Sequence, residues 1–174
     1  MNDRGSRPLP YSSELHQRAH QFLVEEAHLL DTQQMTAWLG LLCPEVEYLM
    51  PVCVTAMRGN GDRSTIDHLR EDLYSLTKRA ERLMTDHAWT EDPPSRVRHY
   101  VTNVRTFAGA GGELEVESAV LLFRSRGDDR APDLVSAGRS DVLAIGTDGT
   151  LRLRRRVVQV DEAVLRTQNL AILL

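Results

Sequence analysis

From Arg96 onward the chain consists of four long runs of β-forming residues joined by short connections, and this pattern restricts the fold more than any other feature. The runs are Arg96 to Phe107, Leu114 to Arg126, Leu134 to Ile145 and Leu151 to Val160. Between them stand Gly109-Ala110-Gly111-Gly112, Gly127-Asp128-Asp129-Arg130 and Gly146-Thr147-Asp148-Gly149. A parallel crossover needs a dozen or more residues, so connections this short imply antiparallel hairpins.

The part before Arg96 is patterned differently. Leu15, Ala19, Phe22, Leu23, Ala27 and Leu30 recur at spacings of three and four, which predicts a helix capped by Ser12 or Ser13. Met35, Trp38, Leu39 and Leu42 share one face of a second, short helix that begins near Thr32 and is stopped by Pro44. Glu45 to Thr55 alternates as a strand, and Pro51, which cannot donate to a ladder, places it at an edge or ends it. Arg58 to Arg63 is a loop. Ile66, Leu69, Leu73, Leu76, Ala80 and Leu83 then predict a third helix, with Ser64 as cap and Asp67 in its first turn. Helices followed by a meander make an α+β domain, with the helices gathered on one face of a strongly curved antiparallel sheet. Residues 12–174 form this single domain, and residues 1–11, with Gly5, Pro8 and Pro10, form a flexible or docking arm.

Composition narrows the function classes. The chain has 174 residues and a formal net charge of −4; its 21 cationic residues, all Arg but for Lys78, are outnumbered by 25 carboxylates. That balance argues against a nucleic-acid binder. No apolar run approaches a membrane span, and the first ten residues lack the apolar core of a signal peptide, so a cytoplasmic protein is expected. Cys43 and Cys53 form neither a zinc knuckle nor a disulfide framework and read as free thiols. His16 and His20 stand four apart on the first helix, with His28 two turns on, but no His-Glu-x-x-His pattern accompanies them. They read as exposed helical histidines. No Cys-x-His with Cys-x-x-His pair is present to hold an iron–sulfur cluster, and no nucleophile motif occurs.

Several residues carry chemical potential. Helices over a curved sheet enclose a cavity, and Asp31, Tyr48, His99 and Asp141 are the acid–base residues that could line it. His99 shares a strand face with Val97, Val101 and Asn103, where a hydrogen-bonded core or interface histidine is the alternative to a catalytic one. Arg139 and Asp141, two apart on one strand face, read as an ion pair. Arg152, Arg154 and Arg156 fall on one face of the last strand, and Arg155 on the other among Leu151, Leu153 and Val157. An Arg on an apolar face must meet a carboxylate or a carbonyl, within the chain or from another. Ala119 to Phe123 is apolar at five consecutive positions, where one-sided burial would give alternation. Either a partner subunit covers the second face or the sheet folds back on itself.

The order of the pieces resembles a known family. Glu26-Ala27-His28-Leu29-Leu30-Asp31, Trp38-Leu39, Tyr48-Leu49-Met50-Pro51, Glu71-Asp72-Leu73 and Arg82-Leu83 are similar to segments of the small (beta) subunit of bacterial Rieske-type aromatic-ring-hydroxylating dioxygenases. The most specific segment runs from Ala88-Trp89-Thr90-Glu91-Asp92-Pro93-Pro94-Ser95-Arg96 to Val104, joined by Gly138-Arg139-Ser140-Asp141, Arg155-Arg156-Val157-Val158 and Asn169-Leu170. The resemblance implies a nuclear-transport-factor-2-like cone and a structural, non-catalytic subunit of an enzyme that adds O2 to an aromatic ring to give a cis-dihydrodiol. It implies no cofactor or metal in this chain: the Rieske cluster and the mononuclear non-haem iron belong to a large (alpha) subunit, with three large and three small subunits in the assembly. Trp89, Arg96, Arg98, His99, Asn103, Arg139 and Asn169 are the matching positions to which it gives interface roles; Arg155 joins them on the strand argument. The competing readings are a stand-alone dehydratase, isomerase or cyclase using Tyr48, His99 and Asp31 or Asp141, and a small-molecule binding module.

Overall fold

The computed structural model describes residues 7–52, 67–84, 95–125, 132–162 and 173–174. The elements, in order, are α1 (Glu14–Asp31), α2 (Met35–Leu39), β1 (Leu42–Pro51), β2 (Asp67–Glu71), α3 (Leu73–Leu83), β3 (Arg96–Ala108), β4 (Leu114–Ser125), β5 (Asp133–Ile145) and β6 (Leu151–Val160). The six strands form one curled sheet in the order β2-β1-β6-β5-β4-β3. The four long strands pair antiparallel in sequence, as the short connections require. One pair departs from the antiparallel expectation: β1 runs parallel to β6, because the chain between them includes α3 and three hairpin strands and so returns in either sense.

The core lies between the sheet and the helices. Ala19, Phe22, Leu23 and Leu30 of α1 pack with Trp38, Tyr48, Val120, Leu122, Val135 and Leu153 in one buried cluster. The apolar stripe of α1 thus faces the sheet, and Ser13 is its N-cap, without a side-chain cap bond. His16 is not exposed as expected. It is buried, and its Nδ1 lies 3.0 Å from Thr106 Oγ1. From the arm, the Leu9 N–H donates to the Thr106 carbonyl on the edge strand β3.

Of the helix expected over Ile66 to Leu83, with its cap at Ser64, the start at Ser64 to Ile66 lies outside the described residues, and the helix itself covers Leu73–Leu83. Asp67–Glu71 is instead a strand on β1, with Met50 opposite Leu69 and Tyr48 opposite Glu71. α3 starts where Asp72 accepts from the Ser75 N–H and Ser75 Oγ accepts from the Asp72 N–H, both at 2.8 Å, a reciprocal capping box. Pro44 does not follow a helix as its stop; it lies inside β1, in the interval 42–47 where the register with β6 is irregular, a place where proline is tolerated in a strand. Pro51 ends β1 beside a bulge.

Two further bulges change which side chains face inward. In β3 the register shifts between Thr102 and Arg105, and Asn103 adopts φ 54°, a left-handed conformation that Asn tolerates. Asn103 is therefore exposed and does not share the inward face of His99. In β6, Val142 pairs with Arg155 but Leu143 with Leu153, so Arg154 is the extra residue. Strand parity reverses there, and Arg156, not Arg155, enters the core.

Candidate functional site

Inside the cone lies a cluster of charged side chains that only mutual pairing makes tolerable. Arg156 on β6 is 0 % exposed and donates to both oxygens of Glu26 on α1, at 2.7 Å each, and to both oxygens of Asp141 on β5, at 2.8 Å each. Trp38 Nε1 donates to Glu26 Oε1 at 3.3 Å. Arg139 on β5 reaches Glu26 Oε2 at 3.6 Å and donates through Nε to Ser118 Oγ at 3.2 Å. Burial alone would push the Glu26 carboxyl up, but the Arg156 and Arg139 charges and the hydrogen bonds from Arg156 and Trp38 prevail and hold it below the usual carboxylate range. Burial likewise opposes the Arg156 charge, and Asp141 and Glu26 outweigh it, so the guanidinium is held all the more firmly protonated. The expected pairing of Arg139 with Asp141 is thus replaced by a network in which Asp141 belongs to Arg156.

Glu26 is the residue that sequence reasoning missed. It sits four residues after Phe22 and three after Leu23, within the apolar stripe of α1, and an acid in that stripe was the available signal.

The other acid–base candidates are also turned inward, and each is engaged. His99 on β3 has Nδ1 2.7 Å from Asp31 Oδ1, which also accepts the His99 backbone N–H at 3.0 Å, and Nε2 2.8 Å from the Leu173 carbonyl oxygen. Tyr48 on β1 is 0 % exposed; its hydroxyl accepts from the Leu174 N–H at 2.9 Å and donates to the Leu174 carbonyl. Burial pushes the Tyr48 phenol up. Leu173 and Leu174 are themselves buried in the core. Tyr48, His99, Asp31 and Asp141 therefore lie in one interior, with their hydrogen bonds directed at protein groups.

The outer face of the sheet is different. In the five-residue apolar run, Val120 and Leu122 point into the core while Leu121 points out, with Ala119 and Phe123 half-buried. Leu121 stands opposite Tyr100, and Phe123 opposite Leu134; Tyr100, Leu121 and Leu134 are all exposed. Arg96 and Arg98 are exposed near this patch, and Arg98 Nη1 approaches Asp31 Oδ2 at 3.7 Å. Of the interface candidates, Arg96, Arg98, Asn103 and Arg155 lie outside, whereas His99 and Arg139 face the interior; Trp89 and Asn169 fall outside the described residues. Arg155 is paired within the chain, to Glu47 at 3.5 Å, and Arg154 binds Glu45 at 2.6 Å and also Glu113. Cys43 is a buried free thiol whose burial pushes its pKa up; Cys53 is outside the described residues. Among the described residues, no group of three or more His, Cys, Asp or Glu is arranged to hold a metal ion, and no helix is long and apolar enough to cross a membrane.

Comparison with known proteins adds to this geometry. Residues 25–167 match the family model described as the ring hydroxylating beta subunit. The chain is 38% identical to the N,N-dimethyl phenylurea N-demethylase subunit beta of Sphingobium sp. (strain YBL2), over 90% of this chain and 89% of that protein. It is 30% identical to a benzene 1,2-dioxygenase subunit beta of Pseudomonas putida, over 95% of this chain and 91% of the relative. Among solved structures, naphthalene 1,2-dioxygenase with indole in its active site contains a chain that superposes with a TM-score of 0.83 at 29% identity, covering 95% of this chain and 88% of that one.

Proposed function

Because the chain belongs to the beta subunits of ring-hydroxylating dioxygenases, with their nuclear-transport-factor-2-like cone, we propose that it is a structural subunit whose partner does the chemistry. The observation that carries this is the interior of the cone. Its charged groups are bound to one another, and Tyr48 and His99 are bound to Leu173 and Leu174, so the acid–base candidates among the described residues are engaged with protein groups. That arrangement builds a rigid body more readily than a proton-transfer site.

The partner in this reading is a large alpha subunit that carries the Rieske cluster and the mononuclear iron, in an assembly of three large and three small chains working in the cytoplasm. The sequence itself offers no Cys-x-His with Cys-x-x-His pair. Relatives named as an N-demethylase subunit and as dioxygenase subunits share one small-subunit plan, which supports locating the choice of reaction in the other chain. The outer patch of Tyr100, Leu121 and Leu134, with Arg96 and Arg98 near it, is the surface we assign to contact with a neighbouring subunit. Large apolar side chains grouped on an exposed sheet face mark an interaction surface.

The test is turnover per assembled complex. Asp141→Asn, made in the small subunit and co-expressed with the large one, should lower stability but leave turnover per assembled complex unchanged. A loss of turnover with assembly intact would place catalysis inside the cone.

A further inference from the structure

The outer face of the sheet carries its charge unevenly. At one end each arginine has a glutamate of the same chain beside it: Arg105 binds Glu117 at 2.9 Å, Arg154 binds Glu45 at 2.6 Å, and Arg155 approaches Glu47 at 3.5 Å. At the other end, where Tyr100, Leu121 and Leu134 are exposed, this pairing stops. The register sets Arg96 opposite Ser125 and Arg98 opposite Phe123, so neither finds a carboxylate across the ladder. Arg96 has no ion-pair partner among the described residues. Arg98 reaches Asp31 at 3.7 Å, but that carboxylate already holds His99 at 2.7 Å.

Gly138 lies in the middle of β5 opposite Ala119, beside the cross-strand row that contains Leu121. Glycine weakens a strand, and a β-branched residue suits that position better. Nothing inside the chain demands glycine there: its φ is not in the left-handed region, and a Cβ added to it meets no atom within 4 Å. A strand glycine of this kind leaves room for the close approach of another chain. Resting on the reading of the chain as a small subunit, we propose that this half of the face receives a segment of the large subunit with two chemical features. An apolar side chain of that segment sits over Gly138 against Leu121 and Tyr100, and carboxylates beside it pair with Arg96 and Arg98. A second copy of this chain fits less well. Meeting itself about a two-fold axis, the patch would set arginine against arginine, and the glutamates at the far end of the face are committed to their own arginines.

The experiment measures the affinity of the full small chain for the large subunit at about 0.1 M and about 1 M salt, between which the screening length falls from about 10 to about 3 Å. The unaltered chain should bind more weakly at the higher salt. Arg96→Gln with Arg98→Gln should bind about tenfold more weakly at the lower salt and lose that salt dependence. Gly138→Val should lower affinity about tenfold at both salts, while the isolated variant melts no lower than the unaltered chain. Unchanged affinity in either variant would overturn the proposal and leave the small-subunit reading standing, including the case in which Gly138→Val separates copies of this chain from one another but still binds the large subunit. Failure of the unaltered chain to bind the large subunit would overturn that reading and the proposal with it. Arg96 and Arg98 are exposed, so their replacement preserves the fold and the test holds even if Gly138→Val does not fold.

Discussion

Arg156 and Glu26, 130 positions apart in sequence, meet in a two-pronged ion pair inside the cone, with both N–O distances at 2.7 Å. This contact ties α1 to β6, and Asp141 on the far side of the guanidinium extends the tie to β5. Removing one partner leaves a buried charge unpaired. Glu26→Ala is therefore expected to cost about 3–5 kcal/mol in chemical denaturation, far more than an exposed pair such as Lys78 with Glu81 would.

The same carboxylate sets an acid limit. Burial raises the Glu26 pKa, the two arginines lower it further than burial lifts it, and the folded value lies below the unfolded one. Its stabilising contribution is present above the unfolded value of roughly 4.3 and is lost as the pH falls through the depressed folded value. Denaturation midpoints measured from pH 6 down to pH 3 should fall steeply at the acid end. Glu26→Gln should flatten that fall, while lowering stability at pH 6.

The strand half of the fold was legible because each long run is followed by Gly- or Asp-rich sequence; the reading of Leu151 to Val160 coincides with β6, and that of Leu114 to Arg126 covers β4, Arg126 itself lying outside the described residues. What could not be read was parity. A single extra residue, Arg154, turns Arg156 inward in place of Arg155, and no local residue type announces that bulge. The β3 bulge at Asn103 likewise breaks the face that His99 was expected to share. Ile66 to Leu83 carries helical spacing from its start, yet pairing of Asp67–Glu71 with β1 overrides it, since the strand gains a ladder and the helix gains a better cap at Asp72. The acid–base candidates Tyr48 and His99 are turned inward, but the residues that engage them, Leu173 and Leu174, are distant in sequence and carry no polar side chain to advertise the contact.

Tyr48→Phe keeps the ring against Arg156 and removes only the hydroxyl. The Leu174 N–H and carbonyl then lose their partner in a buried setting, which should cost about 1–3 kcal/mol. Urea denaturation of the variant checks this; a change near zero would mean that water replaces the hydroxyl.

The outer patch gives the opposite signature. Leu121→Asp lies on an exposed strand position, so the isolated small subunit should keep its stability to within about 0.5 kcal/mol. Binding to a neighbouring subunit should fall at least tenfold, because a charge would have to be buried against an apolar surface. Arg98→Glu should weaken association in a salt-dependent way, read as a change in association rate.

The most direct test of the account is the native mass of this chain co-expressed with a large ring-hydroxylating subunit. The expected result is one species that contains both chains in equal number, three of each, and that dissociates when Leu121→Asp is introduced. Recovery of this chain as a free monomer beside an intact large-subunit assembly would contradict the account.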